Sequence, residues 1–135
     1  MLMASHPLAP HCSVVLAADD AAALAVFYGA LLQRTPAAGL SNRHWRLPLP
    51  TGGQLEIYVP SASRPRPRQP GRLALCLRRT GEAPLLEAWI AAAIRHGATL
   101  QEGPRSEPFG SEAWLADPEG NGLLLLVTPT SADPP

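Results

Sequence analysis

The sequence predicts an α+β fold built from two similar halves that share one small domain. The order of strand-like and helix-like segments occurs twice along the 135 residues, and a proline- and arginine-rich stretch separates the two occurrences. Hydrophobic residues make up 46% of the chain, which is enough to bury a core, while sixteen prolines and eleven glycines exclude an all-helical bundle. We expect each half to carry its helix on the outside and to curve its sheet around a cavity.

The first module covers about residues 9–60. Its predicted strands are short apolar or β-branched segments: residues 11–18, 44–49 and 54–59. A helix is predicted to begin after Asp20, a good N-cap residue, and to run to about Gln33 with Leu24 and Phe27 on its buried face. The sequence Pro-Thr-Gly-Gly between the last two strands predicts a hairpin turn.

The second module, about residues 71–128, has the same order of elements. Its predicted strands are residues 72–77, 98–102, 112–116 and 123–127. Pro84 fits the first turn of a helix that Gly97 ends, and the sequence DPEGN makes a turn before the last strand. Residues 61–70 alternate arginine with proline and predict an extended linker, and residues 129–135 form a polar tail.

Charge and cysteine content exclude several classes of protein. Eleven arginines balance eleven acidic residues and there is no lysine, whereas nucleic-acid-binding domains carry a clear positive excess. Two cysteines are too few for a disulfide framework and favour a reducing compartment. The longest apolar stretch, residues 21–32, is shorter than the roughly 20 residues of a membrane span. We therefore expect a cytoplasmic protein with no nucleic-acid or membrane partner.

Three motifs carry a resemblance to a known superfamily. Residues 20–32 place Phe-Tyr seven residues after an aspartate, residues 52–57 read GGQLEI, and a Phe-Gly pair at 109–110 precedes DPEGN at residues 117–121. In this order and spacing they resemble the vicinal oxygen chelate superfamily, which includes glyoxalase I, extradiol dioxygenases and bleomycin- and fosfomycin-resistance proteins. The resemblance extends from Ser13 to Val127, nearly the whole chain.

This resemblance implies two paired βαβββ modules whose curled mixed sheets enclose a cavity, and it implies a homodimer. In metal-dependent members, four strand residues bind one divalent ion, and the matching positions here are Ser13, Glu56, Arg72 and Leu124. Only Glu56 is a usual metal ligand, because a guanidinium stays protonated and leucine has no donor atom. We therefore expect no cofactor and no metal site, although a divalent metal bound in another way stays an alternative.

The cavity predicted from strand alternation is mostly apolar with a few polar groups, a composition typical of ligand sites. Its candidate ligand-binding residues, two of them taken from the family's register, are Ser13, Glu56, Tyr58, Arg72, Glu112, Trp114 and Leu124. Tyr58 and Trp114 either stack on a flat ligand or simply pack. The sequence leaves open whether His44 faces this cavity, and Cys76 is interpreted as a small core residue.

Two interpretations of Arg72 and Glu56 follow, and with them three functions. Arg72 either forms an ion pair with Glu56 that fills the vacated metal site, or anchors an anionic ligand. In the second case Glu56 orients Arg72 or acts as a base on a bound substrate. The leading hypothesis is a metal-free protein that binds a small, anionic or aromatic molecule. One alternative is a lyase-, isomerase- or dioxygenase-type enzyme that uses Glu56, either without a metal or with one recruited through Glu56 and His11. The other is a structural or regulatory dimer with a filled pocket.

Overall fold

The computed structural model describes residues 12–39, 41–50, 52–61 and 73–129. The chain divides into two compact units, Met1–Arg64 and Pro65–Pro135. Each unit contains one strand, one helix and then three strands, which confirms the predicted α+β fold class with its two βαβββ modules. Most of the predicted linker and the predicted site residue Arg72 lie outside the described residues.

The first unit is a four-stranded mixed sheet with one helix. Its elements are β1 (Ser13–Ala17), α1 (Ala21–Leu32), β2 (Ala37–Ala38), β3 (His44–Pro48) and β4 (Gln54–Tyr58). The strand order is β1-β4-β3-β2, in which β1 runs parallel to β4 and the other neighbours are antiparallel. The two-residue strand β2 was not predicted, since Ala37 and Ala38 carry no strand pattern of their own and pair only with β3.

Helix α1 begins as predicted, because the Asp20 side chain accepts a hydrogen bond from the Ala23 N–H at 3.0 Å. The helix ends at Leu32, and the following C-cap residue, Gln33, adopts the left-handed conformation with φ 55° and donates its N–H to the Gly29 carbonyl. The helix contacts β3 and β4 and buries Leu24 and Phe27. On the sheet, the side chains that share this core are fully buried: Leu47, Leu55 and Ile57.

The second unit repeats this arrangement. Its elements are β5 (Leu75–Thr80), α2 (Ala83–Arg95), β6 (Thr99–Glu107), β7 (Gly110–Ala116) and β8 (Gly122–Thr128). The strand order is β5-β8-β7-β6, in which β5 runs parallel to β8. Helix α2 contacts β6, β7 and β8 and buries Leu86, Ile90 and Ala93, the face that the sequence predicted. Neither helix in the described parts of the chain is long and apolar enough to cross a membrane.

Three predictions for the second unit need correction. The strand predicted at residues 72–77 lies at Leu75–Thr80. All six of its residues pair with β8, and this pairing includes the two arginines that follow Leu77. The strand predicted at residues 98–102 continues to Glu107, since it pairs along the whole of β7. Cys76 is exposed and is not a core residue, because the register with Leu124 turns it away from α2.

The turn between β7 and β8 is organised by one buried carboxylate. Asp117 is 3% exposed, and its Oδ1 accepts the backbone N–H groups of Glu119 at 2.8 Å and Asn121 at 3.0 Å. Its Oδ2 accepts the side-chain amide of Asn121 at 2.8 Å. This network explains the DPEGN sequence as a local structural motif that fixes where β8 begins.

Candidate functional site

Each sheet has one face packed on its helix, and we call the opposite face its helix-free face. In the first unit, Leu47, Leu55 and Ile57 are buried on the helix side, so alternation places the intervening residues on the other face. The helix-free face of the first sheet therefore carries polar, charged and apolar side chains together: Ser13, Val15, His44, Arg46, Glu56 and Tyr58.

Glu56 is the centre of this face. Its Oε1 lies 2.9 Å from Nε2 of His44, and the Ser13 side chain forms a second hydrogen bond with the carboxylate. The Ser13 hydrogen bond, and after it the His44 hydrogen bond, hold the pKa of Glu56 below its usual range. Glu56 is therefore ionised at neutral pH, and His44 donates its Nε2–H to it. The side chains are 28% exposed for Glu56 and 12% for His44.

Gly39 lies directly against the imidazole of His44. The Gly39 N–H donates to the His44 carbonyl at 2.6 Å, and the His44 N–H donates to the Ser41 carbonyl at 3.2 Å. A Cβ atom on Gly39 would collide with Nδ1 of the ring and would lie 2.6 Å from Cε1 and 2.8 Å from Cγ. The imidazole therefore occupies space that only a glycine leaves open, and this contact helps to hold it toward Glu56.

The strand register puts two further side chains beside Glu56. Val15 on β1 and Arg46 on β3 are its direct neighbours on either side. Val15 is 52% exposed, and Arg46 is exposed as well. Arg46 forms no ion pair or hydrogen bond with another described residue, and its charge makes only the smallest contribution to the lowered pKa of Glu56. Tyr58 lies farther along the same face, opposite His44.

A pocket of about 600 Å³ opens at the start of β1. Its lining includes Ser13, and the remaining residues come from positions 12, 14, 49 and 52–54. Ser13 thus borders both this pocket and the Glu56 carboxylate.

The helix-free face of the second sheet combines an aromatic side chain with leucines. Trp114 lies between Leu124 on β8 and Glu102 on β6, and Leu126 continues the same face. A pocket of about 430 Å³ is lined in part by Trp114 and Glu102. Cys76 is on this face too, and loss of hydration around its sulfur raises the pKa of the thiol, so it is not an activated nucleophile.

Glu112, which is 9% exposed, is paired within its own unit. Its Oε2 accepts two hydrogen bonds from Arg105, at 3.0 Å from Nε and 2.7 Å from Nη2. Arg105 also lies 3.1 Å from Glu107 and 3.8 Å from Glu102, and the hydrogen bond to Glu112 is the main reason why the pKa of Arg105 is raised above its usual range. A ligand that bound Glu112 would compete with this ion pair.

The donor set does not fit the divalent ion that the superfamily's metal-dependent members bind. Of the family positions, Ser13 offers a hydroxyl, Leu124 an alkyl group, and Glu56 a carboxylate that already accepts two hydrogen bonds. Arg72 is not among the described residues. Within the described ranges, no group of three or more His, Cys, Asp and Glu side chains is arranged to hold a metal ion.

The structure brings some of the predicted site residues together. Ser13 contacts Glu56, and Glu112, Trp114 and Leu124 share the helix-free face of the second sheet. The sequence analysis did not decide whether His44 faces the predicted cavity. The alternation of Trp45 and Leu47 with polar residues could have shown on which face of the strand His44 lies. Arg105 was missed because the strand that carries it was predicted to end at residue 102.

Solved structures with the same fold come from several bacteria. A glyoxalase/bleomycin resistance protein from Albidiferax ferrireducens is 26% identical with a TM-score of 0.62, and the match covers 87% of this chain and 97% of that one. A glyoxalase/bleomycin resistance protein/dioxygenase family enzyme from Burkholderia phytofirmans is 18% identical with a TM-score of 0.73, covering 86% and 96%. An antibiotic-binding protein from a Streptomyces species is 20% identical with a TM-score of 0.63, covering 92% and 99%.

The sequence itself matches one family model, while a comparison with curated proteins gave no significant match. The model describes a glyoxalase-like domain and matches residues 13–126, which include both βαβββ modules. The motifs, the fold and this match agree, and the chain belongs to the glyoxalase-like domain family of the vicinal oxygen chelate superfamily.

Proposed function

We propose that this chain is a small-molecule-binding protein that uses a helix-free sheet face to bind its ligand, without the superfamily's divalent ion. The observation that carries the proposal is the environment of Glu56. This carboxylate stands at a family metal position, and protein donors from Ser13 and His44 bind it there. These hydrogen bonds stabilise the ionised carboxylate in the absence of a metal.

The composition of the helix-free faces supports a binding function. Ligand sites combine mostly apolar surface with a few polar groups that fix orientation. The second sheet comes closer to this composition, with Trp114 and Leu124 beside a pocket of about 430 Å³. On the more polar helix-free face of the first sheet, exposed Val15 offers apolar surface beside Glu56. Trp114 favours a ligand with a flat aromatic part. A structural neighbour from Streptomyces is described as antibiotic-binding, which is consistent with binding as a function of this fold.

The electrostatics of Glu56 favour binding over catalysis by proton abstraction. A general base works best when its pKa lies near the working pH. The hydrogen bonds to Ser13 and His44 lower the pKa of Glu56, which makes it a weaker base but keeps it ionised, so that it can accept hydrogen bonds as a charged group. We therefore place the enzyme hypothesis, in which Glu56 is the catalytic residue, second.

A fragment screen by saturation-transfer NMR tests this function. The protein is treated with a chelator, dialysed and screened with small aromatic acids, amines and neutral compounds, and the screen is repeated after addition of Zn²⁺ or Mn²⁺. We expect hits that do not depend on the metal. Trp114→Ala should weaken binding of the aromatic hits, whereas Val26→Ala, a matched change at an exposed apolar residue of α1, should leave it unchanged. Hits that appear only after metal addition would overturn the proposal.

A further inference from the structure

We propose that the helix-free face of the first sheet binds a zwitterionic small molecule, an amino carboxylate, with its ammonium group at Glu56 and its carboxylate at Arg46. This inference rests on the proposed function and adds the chemical class of the ligand. The sheet places two oppositely charged side chains next to each other, and the other described residues leave part of their hydrogen-bonding capacity unused.

Glu56 has acceptor capacity left for a ligand. A carboxylate offers about four lone-pair sites. Within the described residues, Ser13 and His44 are the two groups that hydrogen-bond to it. These contacts hold the carboxylate in one orientation while 28% of the side chain stays exposed. An ammonium group, with three donors and a positive charge, matches the remaining acceptor sites.

Arg46 supplies the opposite charge at a neighbouring position. It is directly opposite Glu56 in the antiparallel pair of β3 and β4, where Cβ atoms are about 5 Å apart. Glu56 nevertheless pairs with His44 and Ser13, and Arg46 forms no ion pair with another described residue. Its guanidinium therefore keeps the planar donor edge that binds a carboxylate through two hydrogen bonds.

A ligand with only one charge fits this face less well. An ammonium group at Glu56 lies near the positive charge of Arg46, and a carboxylate at Arg46 lies near the negative charge of Glu56. A molecule that carries both groups on one carbon atom satisfies both side chains and replaces each repulsion with an attraction. In an α-amino acid, one carbon atom separates the amine and the carboxylate. The two groups are therefore close enough together to reach two side chains whose Cβ atoms are about 5 Å apart on neighbouring strands.

Val15 defines where the rest of the ligand lies. It borders Glu56 on the side away from Arg46 and is 52% exposed, so it offers apolar surface next to the charged pair. An apolar or aromatic substituent on the amino carboxylate would cover this surface and gain hydrophobic contact. The expected ligand is therefore an amino carboxylate with an apolar side chain.

Isothermal titration calorimetry with three probes that share a phenyl group tests the proposal: L-phenylalanine, 2-phenylethylamine and 3-phenylpropanoate. We expect L-phenylalanine to bind at least about tenfold more tightly than either singly charged probe. Glu56→Gln should reduce its affinity to that of 3-phenylpropanoate, and Arg46→Gln should reduce it to that of 2-phenylethylamine. Arg43→Gln removes an exposed arginine next to the same strand and is the matched control, which should bind like the wild type. Amide NMR spectra establish that each variant is folded.

The outcomes separate this inference from the proposed function. If a singly charged probe binds as tightly as L-phenylalanine, or if Arg43→Gln weakens binding as much as Arg46→Gln, the zwitterion assignment is wrong while small-molecule binding stands. If none of the three probes binds but the fragment screen gives metal-independent hits, the ligand class is again wrong and the function stands. If both experiments give no binding, both proposals are overturned.

Discussion

The contact between Gly39 and His44 leads to a sharp prediction about the candidate site. A Gly39→Ala substitution introduces a methyl group that would collide with Nδ1 of the His44 ring and lie 2.6 Å from Cε1. Ordinary carbon–carbon contacts are about 3.5 Å or longer, so the ring must shift or tilt by roughly 1 Å. The hydrogen bond from His44 to Glu56, 2.9 Å long, weakens steeply when its alignment is lost.

Two quantities should therefore change in Gly39→Ala. Overpacking at a filled site costs about 1–3 kcal/mol, so the free energy of unfolding in urea should fall by an amount in this range. The pKa of Glu56 should rise, because a hydrogen bond that holds it down is lost, and the rise should be partial, because the larger contribution from Ser13 remains. Carboxyl-detected ¹³C NMR titration measures this pKa directly.

A second glycine provides the control. Gly52 has φ +108°, and no heavy atom lies within 4 Å of the position that a Cβ would take. Gly52→Ala should cost about 1 kcal/mol through backbone strain alone and should leave the titration of Glu56 unchanged. Gly39 has no positive φ, so its effect is steric. If Glu56 titrates identically in wild type and Gly39→Ala, the inference that Gly39 positions His44 is refuted.

Three further predictions concern the carboxylates of the two units. Ser13→Ala should raise the pKa of Glu56 more than His44→Ala does, because the Ser13 hydrogen bond lowers this pKa more than the His44 hydrogen bond. The same ¹³C titration would contradict this prediction if the pKa rose more in His44→Ala. The folded-state pKa of Glu56 lies below its unfolded value, so its contribution to stability is present above the unfolded pKa and is lost as the pH falls through the folded pKa. Urea unfolding between pH 7 and pH 3 should therefore show a smaller acid-induced loss of stability in Glu56→Gln than in the wild type. Equal losses in the two proteins would contradict this contribution of Glu56. Asp117→Ala should lower the free energy of unfolding by about 2 kcal/mol because three donors lose their acceptor, whereas Asp117→Asn, which keeps one oxygen for the backbone N–H groups, should cost about 1 kcal/mol. Equal effects of the two Asp117 substitutions in urea unfolding would show that the oxygen that accepts the two backbone N–H groups contributes nothing.

The sequence determined the elements that depend on local interactions. Helix α1 begins where Asp20 caps it, and the turn before β8 forms where Asp117 follows β7, because both depend on hydrogen bonds within a few residues. Alternation likewise predicted that Glu56 and Tyr58 share one face of their strand, and the structure buries Leu55 and Ile57 on the opposite face. The order of elements, the α+β class and the family follow from such local signals together with the motifs.

Features that depend on pairing between distant segments were decided by the tertiary structure. β5 extends to Thr80 because a parallel ladder with β8 holds it, although its last three residues are polar and give no apolar strand signal. Cys76 is exposed for the same reason, since its pairing with Leu124 sets the face on which it lies.

The candidate site depends most strongly on tertiary structure. Ser13, His44 and Glu56 come from three different strands, and the hydrogen bonds that join them exist only because β4 lies between β1 and β3. The sequence identified Glu56 and Ser13 through the family's metal positions, yet it gave no means of seeing that they bind each other or that His44 completes the cluster. Residue types and their alternation can be read from short segments of the sequence. The strand order and register that bring side chains into contact depend instead on how the whole sheet buries its apolar face.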